Sequence, residues 1–172
     1  MDVRLRPPGL ADEQSCVTAH AELAQAEVGS YNFLLFWREG TPWPDYVRLL
    51  DGLRNGITPP DGFVRSAFLL AEADGELVGR VSIRFELNEH LAYDGGHIGY
   101  AVRPEYRRRG YATAILRQSV DLARSEGVER ILVVCDDDNT TSARVIERCG
   151  GVLESIVTPE GSGAPFRRYW FG

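Results

Sequence analysis

The residues most able to do chemistry lie between positions 102 and 113, which read Val102-Arg103-Pro104-Glu105-Tyr106-Arg107-Arg108-Arg109-Gly110-Tyr111-Ala112-Thr113. The run passes from an apolar strand pattern into a helical one. The first N–H groups of a helix have no partner within it and sit at the positive end of its dipole, so such a junction favours an anion. Gly110 and Ala112 lack bulk, which would let a phosphate approach the main chain closely. Neither a Walker A loop nor a G-x-G-x-x-G fingerprint occurs, so a phosphate-bearing ligand of another kind is expected. All 19 basic side chains are Arg, so the run at 107–109 cannot be credited to a choice of Arg over Lys at that place.

Other candidates stand outside the loop. His97 begins the strand before it, and an imidazole titrates near 6.5, in the range a general base needs. A sheet-end histidine bonded to backbone is an equal reading. Glu86 and Glu89 are rival bases. Asn139 and Ser142 open a later helix, where either can cap. Asp136, Asp137 and Asp138 are consecutive, without the alternating oxygen ligands of a calcium loop, so no metal is expected. Cys16, Cys135 and Cys149 form no C-x-x-C pair and no zinc-spaced set, and read as reduced packing residues.

The elements that must position these groups follow from periodicity. Residues 11–27 and a stretch from Asp45, the expected cap, to Gly56 are helical, the second with Tyr46, Leu49, Leu50 and Leu53 on one face. Tyr31, Phe33, Phe36, Trp37, Trp43 and a Pro59-Pro60-Asp61-Gly62 turn make an aromatic, irregular candidate pocket wall. From Phe63 the period becomes two: Phe68 and Leu70, a hairpin turn at Asp74-Gly75, then Val81, Ile83, Phe85 and Leu87 alternating with polar residues as a half-buried meander. A loop through Tyr93-Asp94-Gly95-Gly96 leads to a strand at 97–102, a helix at 111–126, an apolar strand at 131–135 and a helix at 139–149. Residues 152–157 and 166–171 close the chain as a hairpin across a Pro159-Glu160-Gly161-Ser162-Gly163 linker. The expected fold is mixed α/β, an antiparallel meander that becomes parallel at a central βαβ unit, in one domain over residues 1–172.

The 172 residues are 44% hydrophobic and carry a net charge of -6. A chain of this size needs no staples to build a core. Its acidity argues against nucleic acid as a partner and mildly favours cationic substrates. No apolar run reaches the ~20 residues of a membrane span, and the first residues lack the apolar core of a secretory leader, so no membrane partner and a cytoplasmic address are expected.

The ordered pattern resembles the GNAT superfamily of N-acetyltransferases, within it a group of poorly characterised predicted acetyltransferases. Arg107-x-x-Gly110-x-Ala112 is similar to that family's Gln/Arg-x-x-Gly-x-Gly/Ala loop. Gly99-Tyr100-Ala101-Val102 before it and Asn139-x-x-Ser142 after the apolar strand match in order, strongest over residues 97–154. The resemblance implies acetyl-CoA as cosubstrate, its pyrophosphate on the amides around Arg107, Arg108, Arg109, Gly110, Tyr111, Ala112 and Thr113. It implies an oxyanion-stabilising strand amide among Tyr100, Ala101 and Val102, and pantetheine contacts from Asn139 and Ser142. The amine of a small molecule or peptide would attack directly in a ternary complex, with His97 or Glu86 as base, in a monomer or homodimer. One departure stands out. Where many relatives carry a thiolate-protonating Tyr, seven residues after the Asn, this chain has Ile146. Tyr169 is then the candidate acid, and a catalytically silent acyl-CoA sensor is the alternative reading.

Overall fold

The computed structural model describes residues 2–26, 32–57, 61–161 and 163–172. The end of the first helix at residue 27, Tyr31 of the aromatic stretch, Pro59-Pro60 and Ser162 of the linker lie outside the described residues. Strand β1 (Arg4–Arg6) leads to helices α1 (Glu13–Ala26) and α2 (Trp43–Arg54), strands β2 (Ser66–Ala73) and β3 (Glu76–Arg84), and a short α3 (Glu89–Tyr93). Then follow β4 (Ile98–Val102), α4 (Tyr111–Ser125), β5 (Ile131–Asp136), α5 (Thr140–Arg148), β6 (Val152–Val157) and β7 (Phe166–Phe171).

Two antiparallel sheets result, ordered β1-β2-β3-β4 and β5-β7-β6. Asp74 and Gly75 both take positive φ, 52° and 81°, as a two-residue hairpin turn requires. On one face of the first sheet Val81, Ile83, Ile98 and Val102 pack with Ile115, Leu116 and Val120 of α4 and with Ile131, Val133 and Ile146. Each such side chain contributes about 1.5–3 kcal/mol when fully buried. On the other face Phe68, Leu70 and Leu77 pack with Cys16, Ala19 and Leu23 of α1 and Tyr46 and Leu50 of α2. β3 is therefore covered on both faces rather than one, and it ends at Arg84 rather than running on to Leu87.

Local chemistry moves several boundaries. α2 begins at Trp43 with Pro42 as the preceding cap residue and Pro44 in its first turn, where a missing N–H costs nothing and the fixed φ suits a helix, and Asp45 sits inside that turn paired with Arg48 instead of capping. α3, in a stretch read as loop, is capped by the Asn88 side chain, which accepts the Leu91 N–H at 2.9 Å. β1 is too short for a periodic signal and exists by pairing with β2.

The parallel pairing expected at the crossover is not a ladder. β4 and β5 are joined at an isolated bridge between Gly96 and Val133 and by a closed pair of hydrogen bonds at His97. The His97 N–H donates to the Leu132 carbonyl at 2.7 Å, and the Leu132 N–H donates to His97 Nδ1 at 2.9 Å. An imidazole thus takes the place of a backbone partner, and beyond it no backbone hydrogen bond joins β4 to β5 among the described residues. The strands splay. Gly96, at φ 64°, is what allows the bridge, because a Cβ there would lie 2.5 Å from the Leu132 carbonyl oxygen.

Burial lowers the pKa of His97, and the Arg84 charge acts in the same direction. The unfolded chain therefore takes up this proton first, and the stability gained from a neutral ring is present above about 6.5 and lost as pH falls below it. Urea midpoints at pH 7.5 and 5.5 are expected to differ more in the wild type than in His97→Gln, which keeps an acceptor but cannot titrate. Equal differences would remove His97 from the account of the splay.

Candidate active site

The splay leaves a gap between β4 and β5, and the register of β4 decides what faces it. Arg84 N–H donates to the His97 carbonyl and Arg103 N–H to the Val78 carbonyl, so the His97 carbonyl and the backbone groups of residues 99, 101 and 103 point to β3, while the His97 N–H turns to Leu132. By alternation those of Ile98, Tyr100 and Val102 point into the gap. Their side chains lie on the α4 face, while Gly99 and Ala101 face the α1 and α2 layer. The gap therefore connects two faces of one sheet.

On the α4 face stands the loop singled out in the sequence. Arg103 anchors it through Glu22 of α1, with both nitrogens of the fork at 2.9 Å, and through the Leu77 carbonyl at 2.8 Å. Tyr106 lies beneath the Arg103 and Arg109 guanidiniums, 5.2 and 5.7 Å from its ring centre. Arg107 Nε donates to the Val102 carbonyl at 3.3 Å. Arg108 and Gly110 take left-handed φ of 59° and 87°, and Gly110 is the residue preceding α4. Among the described residues none of the backbone N–H groups from 108 to 113 donates a hydrogen bond. Converging free amides at a helix start, with no side chain on Gly110 to fill the space, make a nest for a phosphate. The residues present fit the pyrophosphate of a coenzyme A thioester.

At the adjoining helix Asn139 Oδ1 accepts the Ser142 N–H at 3.0 Å and caps α5, leaving its amide nitrogen as a donor. The Ser142 hydroxyl is 2.9 Å from the Tyr100 hydroxyl. Burial pushes the Tyr100 phenol up to about 12 and the Cys135 thiol up to about 11, so both keep their protons at neutral pH.

On the other face the gap opens into a cleft of about 190 Å³ whose lining includes Asn32, Leu35, Arg80, Arg84, Asp94 and Gly99, with Tyr100 and Cys135 toward the gap. Of the aromatic residues expected to form its wall, the described ones do not line it: Phe33 and Trp43 are buried in the α1 and α2 core, Trp37 packs partly buried against that core, and Phe36 is exposed.

Three catalytic assignments from sequence meet this geometry badly. His97 is 6% exposed and its Nδ1 lone pair is taken by the Leu132 N–H, which puts the proton of the neutral ring on Nε2 and leaves no site to accept another. Glu86 is exposed beyond the end of β3, accepts the Arg65 N–H at 3.2 Å and does not line the cleft; Glu89 opens α3. Tyr169 is fully buried and gives its hydroxyl proton to Glu147 at 3.0 Å. Ile146 also belongs to the core, against Gly151. Sequence reasoning missed Arg80, Arg84 and Asn32, since alternate polar residues on a strand read as a solvent face.

A family model for the acetyltransferase (GNAT) family matches residues 30–151. The chain belongs to the GNAT acetyltransferase family. Solved structures share its fold: the microcin C7 self-immunity acetyltransferase MccE, in complex with acetyl-CoA and AMP, has TM-score 0.70 at 18% identity, covering 99% of this chain and 92% of that one. RimJ of Mycobacterium smegmatis, in complex with CoA-disulfide, gives 0.70 at 22% identity over 98% and 81%. The acetyltransferase yncA of Salmonella typhimurium, with acetyl-CoA, gives 0.63 at 14% over 98% and 92%. The segment that resembles the GNAT loop in sequence, Arg107-x-x-Gly110-x-Ala112, forms the nest before α4. Gly110→Glu would place bulk and negative charge in it, and calorimetry is expected to show coenzyme A affinity falling at least about tenfold, the loss of one charge-assisted contact.

Proposed function

We propose that this GNAT chain transfers an acetyl group from acetyl-CoA to a primary amine by direct attack in a ternary complex. The observation that carries the reading is the gap between β4 and β5, open to an amide nest on one face and to an acceptor cleft on the other. The presence of acetyl-CoA or coenzyme A in the related structures supports the choice of cosubstrate.

The chain's own groups supply the chemistry. The N–H groups at 108–113 hold the pyrophosphate, and Asn139 offers its amide to the pantetheine arm. The Tyr100 N–H, directed into the gap, stabilises the oxyanion as nitrogen attacks the thioester carbon. The C–S bond then breaks. Tyr100 and Ser142 share one hydrogen bond, so one of their two hydroxyl protons is left to donate to the departing thiolate, the part that Ile146 cannot play. A coenzyme A thiol resembles free cysteine, near 8.5, so its anion leaves near neutral pH with a hydrogen bond and takes its proton from solvent. The amine loses its proton to water at the cleft mouth, where Asp94 and Asp136 provide carboxylates. Cys16, Cys135 and Cys149 are all free thiols, consistent with a reducing cytoplasm, and no helix among the described residues is long and apolar enough to cross a membrane.

Release of free thiol from acetyl-CoA across a panel of amines tests the reading. Turnover by the wild type is expected, and Tyr100→Phe should lower kcat about 10- to 100-fold, the worth of a hydrogen bond to a charged group, with acetyl-CoA affinity nearly unchanged. Ile146→Tyr should leave no gain in rate and cost about 1–3 kcal/mol of stability through overpacking. Tight coenzyme A binding with turnover appearing only in Ile146→Tyr would replace the enzyme by a silent binding module.

A further inference from the structure

The acceptor cleft holds one buried and one half-buried cation with no carboxylate paired to either among the described residues. Arg80 is 4% exposed, and its guanidinium donates to the Gly99 carbonyl at 2.9 Å and the Asn32 carbonyl at 2.7 Å. Its Nε is buried with no partner. Arg84, two repeats of the pleat further along β3 on the same face, donates to the Gly95 and Gly96 carbonyls at 3.4 and 3.2 Å. Both line the cleft. Among the described residues no carboxylate is within ion-pair distance of either, although Arg6, Arg48, Arg65, Arg103, Arg167 and Arg168 each have one.

This is costly placement. A guanidinium taken out of water needs a paired charge or a full set of acceptors, and Arg80 has neither. It also stays charged: burial lowers it only to about 10. The chain has 25 acidic side chains against 19 basic ones, so counter-ions are not scarce. Asp94 and Asp136 line the same cleft. The cavity thus presents separated charges of both signs within about 190 Å³, a volume suited to a compact polar molecule.

We propose that Arg80 and Arg84 form an anion-binding subsite of the acceptor cleft, and that the acceptor is a compact amine carrying a carboxylate or phosphate near its amino group. The anion would face the guanidiniums and the amine the Asp94 and Asp136 side of the cleft, next to the gap. This reverses the cationic acceptor expected from net charge, because the local field is set by the uncompensated pair. It rests on the acetyltransferase reading for the word acceptor, not for the anion site.

The test compares glycine with glycinamide, ethanolamine phosphate with ethanolamine, and putrescine as a cation, with rates referred to the unprotonated amine. In a separate titration, N-acetylglycine, N-acetylglycinamide and inorganic phosphate are bound to the wild type, Arg84→Gln and Arg80→Gln. Anionic amines are expected to exceed their neutral partners in kcat/KM by roughly 10- to 100-fold, the scale of a charge-assisted hydrogen bond, and the advantage should collapse in Arg84→Gln at unchanged acetyl-CoA affinity. The carboxylate and phosphate arms tell which anion the site takes. Arg80→Gln is read only if its melting curve matches the wild type, since Arg80 also ties Asn32 to β4. Turnover without preference for anionic amines would overturn the inference and leave the enzyme standing. No turnover, with N-acetylglycine or phosphate bound by the wild type but not by Arg84→Gln, would overturn the enzyme and leave the anion site. Neither turnover nor anion binding would overturn both.

Discussion

Two hydrogen bonds between His97 and Leu132 determine where this molecule can work. They close the seam between two sheets at one point and, by using a ring nitrogen in place of a peptide group, end the pairing there. Everything beyond is a consequence of strands that start together and diverge. The backbone of β4 keeps its alternation with β3, so Ile98 and Tyr100 turn their amide groups toward the opening, while the Val102 carbonyl accepts from Arg107. In a continuous sheet those groups would be spent on β5.

The electrostatics of the opening are set by proximity rather than by total charge. Net charge of -6 alone predicts a negative mouth. Some of the acidic residues are instead paired with arginines away from the cleft, as in Arg103 with Glu22, Arg167 with Asp137 and Arg168 with Glu154. Where such pairs reach solvent they are screened and contribute little to stability. The Arg80 and Arg84 guanidiniums line the cleft beside the gap, where burial weakens screening by water and a nearby charge is felt more strongly than at the surface.

The order of helices and strands was legible from periodicity, because most elements bury a face whose apolar spacing matches their geometry. The strand-to-helix junction was legible as well: Gly110 after three arginines takes the left-handed turn that opens α4. What could not be read was which side of β3 meets solvent. Arg80, Ser82 and Arg84 alternate with Val81 and Ile83 as the outer face of an amphipathic strand would, yet α1, α2 and the chain around Asn32 cover that face. That covering depends on contacts between residues nearly 50 positions apart, which no local pattern records. His97 misled for a related reason. Imidazole chemistry suggests a base, and only the position of Leu132 across the seam shows that its lone pair is already committed.

The two walls of the gap belong to different packing clusters. The loop before α4 and the Ser142 end of α5 rest on the core shared with β5 and β7, whereas Asn32, Leu35 and the approach to Arg80 rest on α1 and α2. Substitutions that are far apart and share no partners act nearly additively. If the proposed transfer holds, the surface that chooses the incoming molecule can drift, residue by residue, with little effect on the surface that holds the donor, the Arg103–Glu22 tie being the point where the two meet. In evolutionary terms the sheet would then be a partition, one side held to a constant task while the other is free to acquire new tastes.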